Sequence, residues 1–460
     1  MNLKSLCMFV KEQMYNEFQK ISLNDNKCIK TQSLNQGIYW IHNLVLLTLI
    51  KGHLILMSRA TGSDHKKQKS IKLLQQYNRR VSILKSETRN ILHHPLPREI
   101  RQLDPKVHVE GITYDRLKYF IQGYLTGEQY LNEFASCSSK CWEYSRTKHH
   151  NERGFFIPNS NLICHGTIHN CKESPIQYIC EQPHSKRNDR RYVEVNFSKW
   201  NTPHCNNKTN QKNRKRIKAF SVVEAGILPW AMNNHEMCEL CECYCDYKNT
   251  VKSIRSFSLK EVNSNTNENY VITGIRFRIV NQVICLQIQQ GKLTNTIIDP
   301  ETVHWQPVNL PLLKNNNQVV RLNYTIRSLN LDDVEVSRSS IVTGVKVFRN
   351  GSMNSSPIWY FPKSNVETRK EININNLNVP TSSLEENEIL SKPNEYYVKF
   401  TTTSWKTDIA QTVVPFIDLQ EVTTDPPSAI GGVGIYHKRQ KSDGGFIAPK
   451  LLSVNYSSIL

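Results

Sequence analysis

Cys238-Glu-Leu-Cys241-Glu-Cys243-Tyr-Cys245 puts four thiols into eight residues. Packing alone needs no such density of sulfur, so the stretch reads as a disulfide knot or a metal site, and the choice between them decides the compartment. It also divides the chain. The part before it reads as helix and loop, and the part after it as repeated β structure. The expected fold class is α+β, mainly β: a helical amino-terminal part, a disulfide-rich middle, and a carboxy-terminal antiparallel β domain of three repeats, β-prism-like or a compact barrel. The expected boundaries are 1–63 for a polar extension plus a signal-like apolar segment, 64–135 for the helical region, 136–250 for the cysteine-rich region and 251–455 for the three-repeat domain.

Ten of the 13 cysteines lie between Cys137 and Cys245: Cys137, Cys141, Cys164, Cys171, Cys180, Cys205, Cys238, Cys241, Cys243 and Cys245. An even number in one poorly periodic, polar region suits covalent staples under a thin core, although spacing does not define the pairing. The alternative is zinc on Cys238, Cys241, Cys243 and Cys245, with His235 close by. Against it, Cys-x-Cys spacing is tighter than the usual zinc knuckle, and an oxidising compartment consumes thiolate ligands. Cys164-His165 with His169 and Cys171 is a second metal candidate, weighed against a loop disulfide with two exposed histidines. The expectation is disulfides, with no metal and no cofactor.

Residues 1–37 are polar. An apolar run comes next, over 38–57, centred on Leu44-Val-Leu-Leu-Thr-Leu-Ile50, and then the small residues Ala60-Thr-Gly-Ser63. That is the order of a secretory signal, displaced from Met1. The expectation is a later start or an uncleaved anchor, with a buried helix as the bland alternative. Lys51 and His53 would sit well inside a span of about 20 residues, so no stable membrane span is expected. Secretion would permit glycosylation at the triplets of Asn196, Asn207, Asn323, Asn350, Asn354 and Asn455.

Ile71, Leu74, Tyr77, Val81 and Leu84 recur at spacings of three and four, predicting a helix over 64–92. Leu117, Phe120, Ile121, Tyr124 and Leu131 predict a second over 114–134. Val271–Ile279 and Val283–Gln289 read as two strands joined at Val280-Asn-Gln282, with Cys285 a free thiol on the more polar face. One pattern occurs in three copies: Phe257-Ser-Leu-Lys-Glu-Val262 before Val271-Ile-Thr-Gly-Ile275, Leu329-Asn-Leu-Asp-Asp-Val334 before Ile341-Val-Thr-Gly-Val345, and Phe416-Ile-Asp-Leu-Gln-Glu-Val422 before Ile430-Gly-Gly-Val433. Gly274, Gly344 and Gly432 hold equivalent places, as at bulges or close backbone approaches.

The cluster and these repeats resemble a family of arthropod proteins known as domain of unknown function 4803. The residues that carry the resemblance are Glu239–Asp246, Val271–Phe277, Leu286–Gln289, Ile298–Trp305, Leu331–Val334, Ile341–Val345, Val414–Asp418, Gly434–Lys438 and Gly444–Lys450. It covers about 230–450, and more loosely the helical and cysteine-rich part before it, and leaves the first sixty residues outside. It implies a secreted protein and no catalytic residues.

The chain carries a formal charge of +19, which suits anionic glycans, nucleic acid or membrane surfaces. The run Lys212, Arg214, Lys215, Arg216, Lys218 has only Phe220 nearby, so nucleic acid is not favoured. No nucleophile elbow, His-Glu-x-x-His or phosphate loop is present, and the acids Asp332, Asp333, Asp418 and Glu421 recur with the repeat, as structural groups do. An enzyme is not expected. A sugar-binding loop is read at Asp443, Gly444, Gly445 and Phe446: a carboxylate for hydroxyls, glycines for close approach, a ring for stacking. Trp305, Trp359 and Trp405 are further stacking candidates, against a turn and core tryptophans. The reading is a secreted, non-enzymatic binding protein of extracellular space, for glycan or matrix. The alternative is an intracellular zinc-binding basic protein contacting nucleic acid.

Overall fold

The computed structural model describes residues 33–59, 64–93, 98–126 (less 103 and 106), 141, 166–181 (less 175–177), 192–196, 216–218, 241–247, 252–347 (less 295–296, 309–317 and 338–339), 370–371, 389–439 and 444–458. In chain order the elements used below are α1 (Leu34–Ser58), α2 (Asp64–His93), β1 (Ile121–Thr126), β2 (Gly166–Glu173), β3 (Cys241–Tyr247), β4 (Val262–Asn263), β5 (Tyr270–Val280), β6 (Val283–Thr294), β7 (Asp333–Glu335), β8 (Gly344–Val345), β9 (Phe416–Asp418), β10 (Val422–Thr423), β11 (Ile430–Arg439) and β12 (Phe446–Ser453). The fold is mostly β with a helical amino-terminal part. Among the described residues no sheet closes into a barrel.

Two long antiparallel hairpins, β5–β6 and β11–β12, organise the core. Asn281 and Gln282 both have positive φ, 49° and 64°, which turns β5 tightly into β6 with the twist a two-residue hairpin requires. Each hairpin heads a seven-stranded sheet. The apolar residues of both share one cluster, including Ile272, Ile275, Phe277, Ile430, Val433 and Ile435. The expected polar face of β6 is buried too: Cys285 is a free thiol, and it is closed off from solvent.

The short strands pair between the three segments whose sequence pattern recurs. Val262 and Asn263 of β4 pair with Val345 and Gly344 of β8. Val334 and Glu335 of β7 pair with Val433 and Gly432 of β11. Val422 and Thr423 of β10 pair with Ile275 and Gly274 of β5. Each acidic-apolar strand thus lies on the glycine strand of the next copy, and the third returns to the first. The next amide repeats the relation: Ser264 N donates to Thr343 O at 2.8 Å, Val336 N to Gly431 O at 3.0 Å and Thr424 N to Thr273 O at 3.0 Å. A Cβ at Gly432 would lie 2.5 Å from Val334 O, and one at Gly274 would lie 3.0 Å from Val422 O, so glycine lets the partner backbone pass.

Over the described part of its span, 114–126, the helix expected over 114–134 is not formed; residues 127–134, with Leu131, lie outside the described residues. Tyr114–Asp115 is a strand, and β1 occupies 121–126. Tertiary context overrides the spacing: residues 120–125 are buried without a break, more than one helix stripe would cover. Gly123 N donates to Ala410 O at 2.7 Å, and a Cβ at Gly123 would lie 2.5 Å from Ile409 O. The region before the cysteine cluster is therefore not purely helix and loop. α2 matches its expected span. α1 covers the apolar run, capped by Ser33, whose Oγ accepts from Gln36 N.

Candidate functional site

Two places gather chemistry-bearing residues: the cysteine strand β3, and the surroundings of Phe446. β3 is the centre of a three-stranded antiparallel sheet, between β1 and β2. Alternation puts Cys241, Cys243 and Cys245 on one face, packed with Tyr124 and Ile168. Cys141 bonds Cys241 with S–S 1.99 Å, and Cys171 bonds Cys243 with S–S 2.04 Å. Cys245 is disulfide-bonded as well. Three members of the alternative zinc set are thus oxidised and unable to act as thiolate ligands. The second metal candidate fails for the same reason at Cys171, while His169 lies flat on Tyr324 with centroids 4.1 Å apart. Cys137, Cys164, His165, Cys205, His235 and Cys238 lie outside the described residues, and only the backbone of Cys180 is described.

The opposite face of β3 ties this sheet to the core. Asp246 Oδ1 accepts from Arg255 Nη1 at 2.6 Å, and its Oδ2 accepts from Tyr324 N at 2.9 Å. Arg255 is buried and also donates to Tyr119 O at 2.9 Å. A buried guanidinium holding a carboxylate and several carbonyls fixes the relative setting of β3 and the long hairpins.

The expected sugar loop is placed differently from its reading. Phe446 is fully buried. Its ring stacks on His108 at 4.4 Å and meets Phe416 edge-on at 5.9 Å. It pairs with Phe416 across parallel strands β9 and β12. No face of it is left for a sugar. Gly444 sits against the Val414 side chain, and Gly445, at φ 69°, makes the turn into β12. Trp405 is buried, and half-buried Trp305 lies under the Arg276 guanidinium at 4.0 Å. Asp443 and Trp359 lie outside the described residues.

Beside Phe446 lies a buried ionic cluster. Lys438 Nζ is 2.6 Å from Asp418 Oδ2 and also pairs with Asp104. Its side chain is 1% exposed, that of Asp418 2% and that of Asp104 8%. Burial pulls the Lys438 ammonium down, but Asp418, with Tyr436 and Asp104, outweighs burial and holds it above the ordinary lysine value. His108 stands 3.6 Å from Asp104; burial, with Lys438 beyond, keeps its pKa below the ordinary value against the pull of Asp104 and Asp418. Lys450, twelve residues on in the same strand pair, meets Asp333 at 2.9 Å and Glu99 at 2.8 Å. There burial prevails: the pKa of Lys450 falls and that of Asp333 rises, with Arg101 adding to the repulsion on Lys450.

These clusters hold charge in place and present no nucleophile beside a base. Asp333, Asp418 and Glu421, expected to be structural, are partners of Lys450, Lys438 and Arg276 respectively. Sequence reasoning missed Lys438, Lys450, Asp104 and His108. The available signal was a lysine inside each long apolar strand, at positions with no solvent face. Of the glycosylation candidates, Asn323 and Asn455 sit in Asx turns: their Oδ1 atoms accept from Thr325 N at 2.9 Å and Ser457 N at 3.2 Å. Asn207, Asn350 and Asn354 lie outside the described residues, as does the side chain of Asn196.

Residues 25–288 match a family described as a domain of unknown function, DUF4803. The chain belongs to this family. The match starts earlier and stops sooner than the resemblance read from the sequence. It takes in α1, which that resemblance leaves outside, and ends within β6, so the motifs quoted beyond residue 288 are not part of it. No curated protein matches the chain.

Proposed function

We propose that this member of the family is a secreted, disulfide-stabilised, non-enzymatic protein that binds an anionic glycan or matrix component in extracellular space. The observation that carries the reading is the oxidised strand β3. Cys241, Cys243 and Cys245 all sit in disulfides, a state that persists outside the cytosol. The apolar helix α1 is compatible with entry to the secretory route. The charge of +19 favours a polyanion as ligand. The scaffold for it is a three-repeat, prism-like unit; the cyclic pairing of β4, β7 and β10 with β8, β11 and β5 supports that architecture. With Phe446 in the core, the ligand surface is sought on the basic exterior instead.

The full chain is tested on an array of sulfated and neutral glycans at physiological salt, with thiols counted by mass spectrometry before and after reduction. Retention on sulfated glycans that weakens with salt supports the proposal. Silence on both classes refutes the ligand. Native protein with Cys241, Cys243 and Cys245 reduced refutes the compartment.

A further inference from the structure

Among the described residues, the α1–α2 hairpin is packed on the β domain only at its base. There Ser33 Oγ donates to Ser453 Oγ at 2.7 Å, Ile38 and Leu92 pack with Val454 and Tyr456, and Tyr39 stacks on Tyr456 with centroids 4.2 Å apart. Past His42 in α1 and before Leu84 in α2, no described residue is buried. The last 16 residues of α1, at roughly 1.5 Å each, project about 24 Å from the β domain. The two helices hold each other along this length, as His53 stacks on Tyr77 at 4.6 Å.

The projecting part leaves large apolar side chains in water. Leu44, Leu47, Leu54 and Ile55 of α1 are exposed, and so are Ile71 and Leu74 of α2. The apolar stripe of α2 is thus wider than its contact with α1 covers. Large apolar side chains exposed in this number along one helix pair mark a contact with something else. The charge beside it says what. α2 carries exposed Lys69, Lys72, Arg79, Arg80, Lys85 and Arg89, against only Asp64 and Glu87 as acids. An apolar helix lying along a cationic one is complementary to a surface that is both hydrophobic and negative.

We propose that the distal half of this hairpin docks on an anionic lipid bilayer. The exposed leucines and isoleucines enter the boundary between headgroups and acyl chains, and the α2 cations meet lipid phosphates and carboxylates. Lys51 and His53 are accommodated at an interface, where a lysine stem lies along the apolar layer and its ammonium reaches water. The hairpin acts as a surface anchor, and α1 is retained in the mature protein.

The full chain is floated with phosphatidylcholine vesicles with and without phosphatidylserine. It binds the vesicles that contain phosphatidylserine, and added salt weakens that binding. Joint substitution Leu54→Asp and Ile55→Asp abolishes flotation. Arg79→Gln with Arg80→Gln lowers partitioning roughly thirtyfold, taking about 1 kcal/mol per cation near the surface. All four residues are exposed, so unfolding curves stay at the wild-type position. Failure of the wild type to float, flotation unchanged by either pair, or a mature protein beginning after Arg59 overturns the proposal. The glycan array contains no lipid, so the two readings fail separately.

Discussion

Substituting Lys438→Met tests the buried ionic cluster of Lys438, Asp418 and Asp104. Methionine keeps most of the lysine stem and removes the ammonium. Two carboxylates are then left with their counter-charge gone, Asp418 at 2% and Asp104 at 8% side-chain exposure. Removing one partner of a buried pair costs about 3–5 kcal/mol, because the orphaned charge pays desolvation without compensation. Urea unfolding at pH 8 reads that loss directly. The sign of the pH dependence is the sharper check. In the variant the orphaned carboxylates bind protons more readily than in the unfolded chain, whose aspartates titrate near about 3.9. A raised carboxylate pKa means that stability returns as pH falls, so the deficit narrows between pH 8 and pH 5. His108 drives the wild type the other way: its folded pKa is depressed, so its contribution is complete above about 6.5 and is lost as pH drops below that. Adding Asp418→Asn to Lys438→Met recovers part of the loss. A deficit under about 1 kcal/mol, or one that does not change with pH, would refute the argument that this lysine is held by unscreened buried carboxylates.

The remaining predictions concern other parts of the fold. Gly432→Ala forces a Cβ to within 2.5 Å of the Val334 carbonyl and should cost more than Gly344→Ala, whose nearest obstacle is the end of the Asn263 side chain; Asn263→Ala should rescue only the second, read by urea midpoints. His108→Gln should flatten the loss of stability below pH 6.5 that depressed histidines impose, with His42 and His169, also lowered by burial, accounting for what remains. Burial pushes the Cys285 thiol up to about 11, so iodoacetamide at pH 8 should leave it unmodified until the chain is unfolded, as mass spectrometry would show. Replacing both Cys171 and Cys243 with alanine opens a loop of 72 residues, which the Cys141–Cys241 bond shortens to roughly 32; the expected loss is at most about 4 kcal/mol by denaturant titration.

Local periodicity made some of this fold legible and left the rest hidden. The stripe of α2 and the β5–β6 hairpin depend on neighbours a few residues away, and both form where the spacing puts them. The Asn-Gln turn needs only two residues that tolerate positive φ. The 114–134 segment shows where this stops. Leu117, Phe120, Ile121 and Tyr124 fit a helical stripe, but they also fit a strand buried on both faces, and only the distant β3 and Ala410 decide between them. Phe446 misleads for a related reason. A ring after two glycines looks like a loop tip, and nothing nearby reveals that Phe416 and His108 come from far away in the chain to enclose it. The glycines of the repeated pattern are the instructive middle case. Their recurrence is visible in the sequence, yet what crowds two of them is a carbonyl from a distant strand, Val334 O at Gly432 and Val422 O at Gly274, while Gly344 meets the Asn263 side chain. The recurring pattern therefore marks contacts whose two halves lie far apart in the chain, which no reading of neighbouring residues can supply.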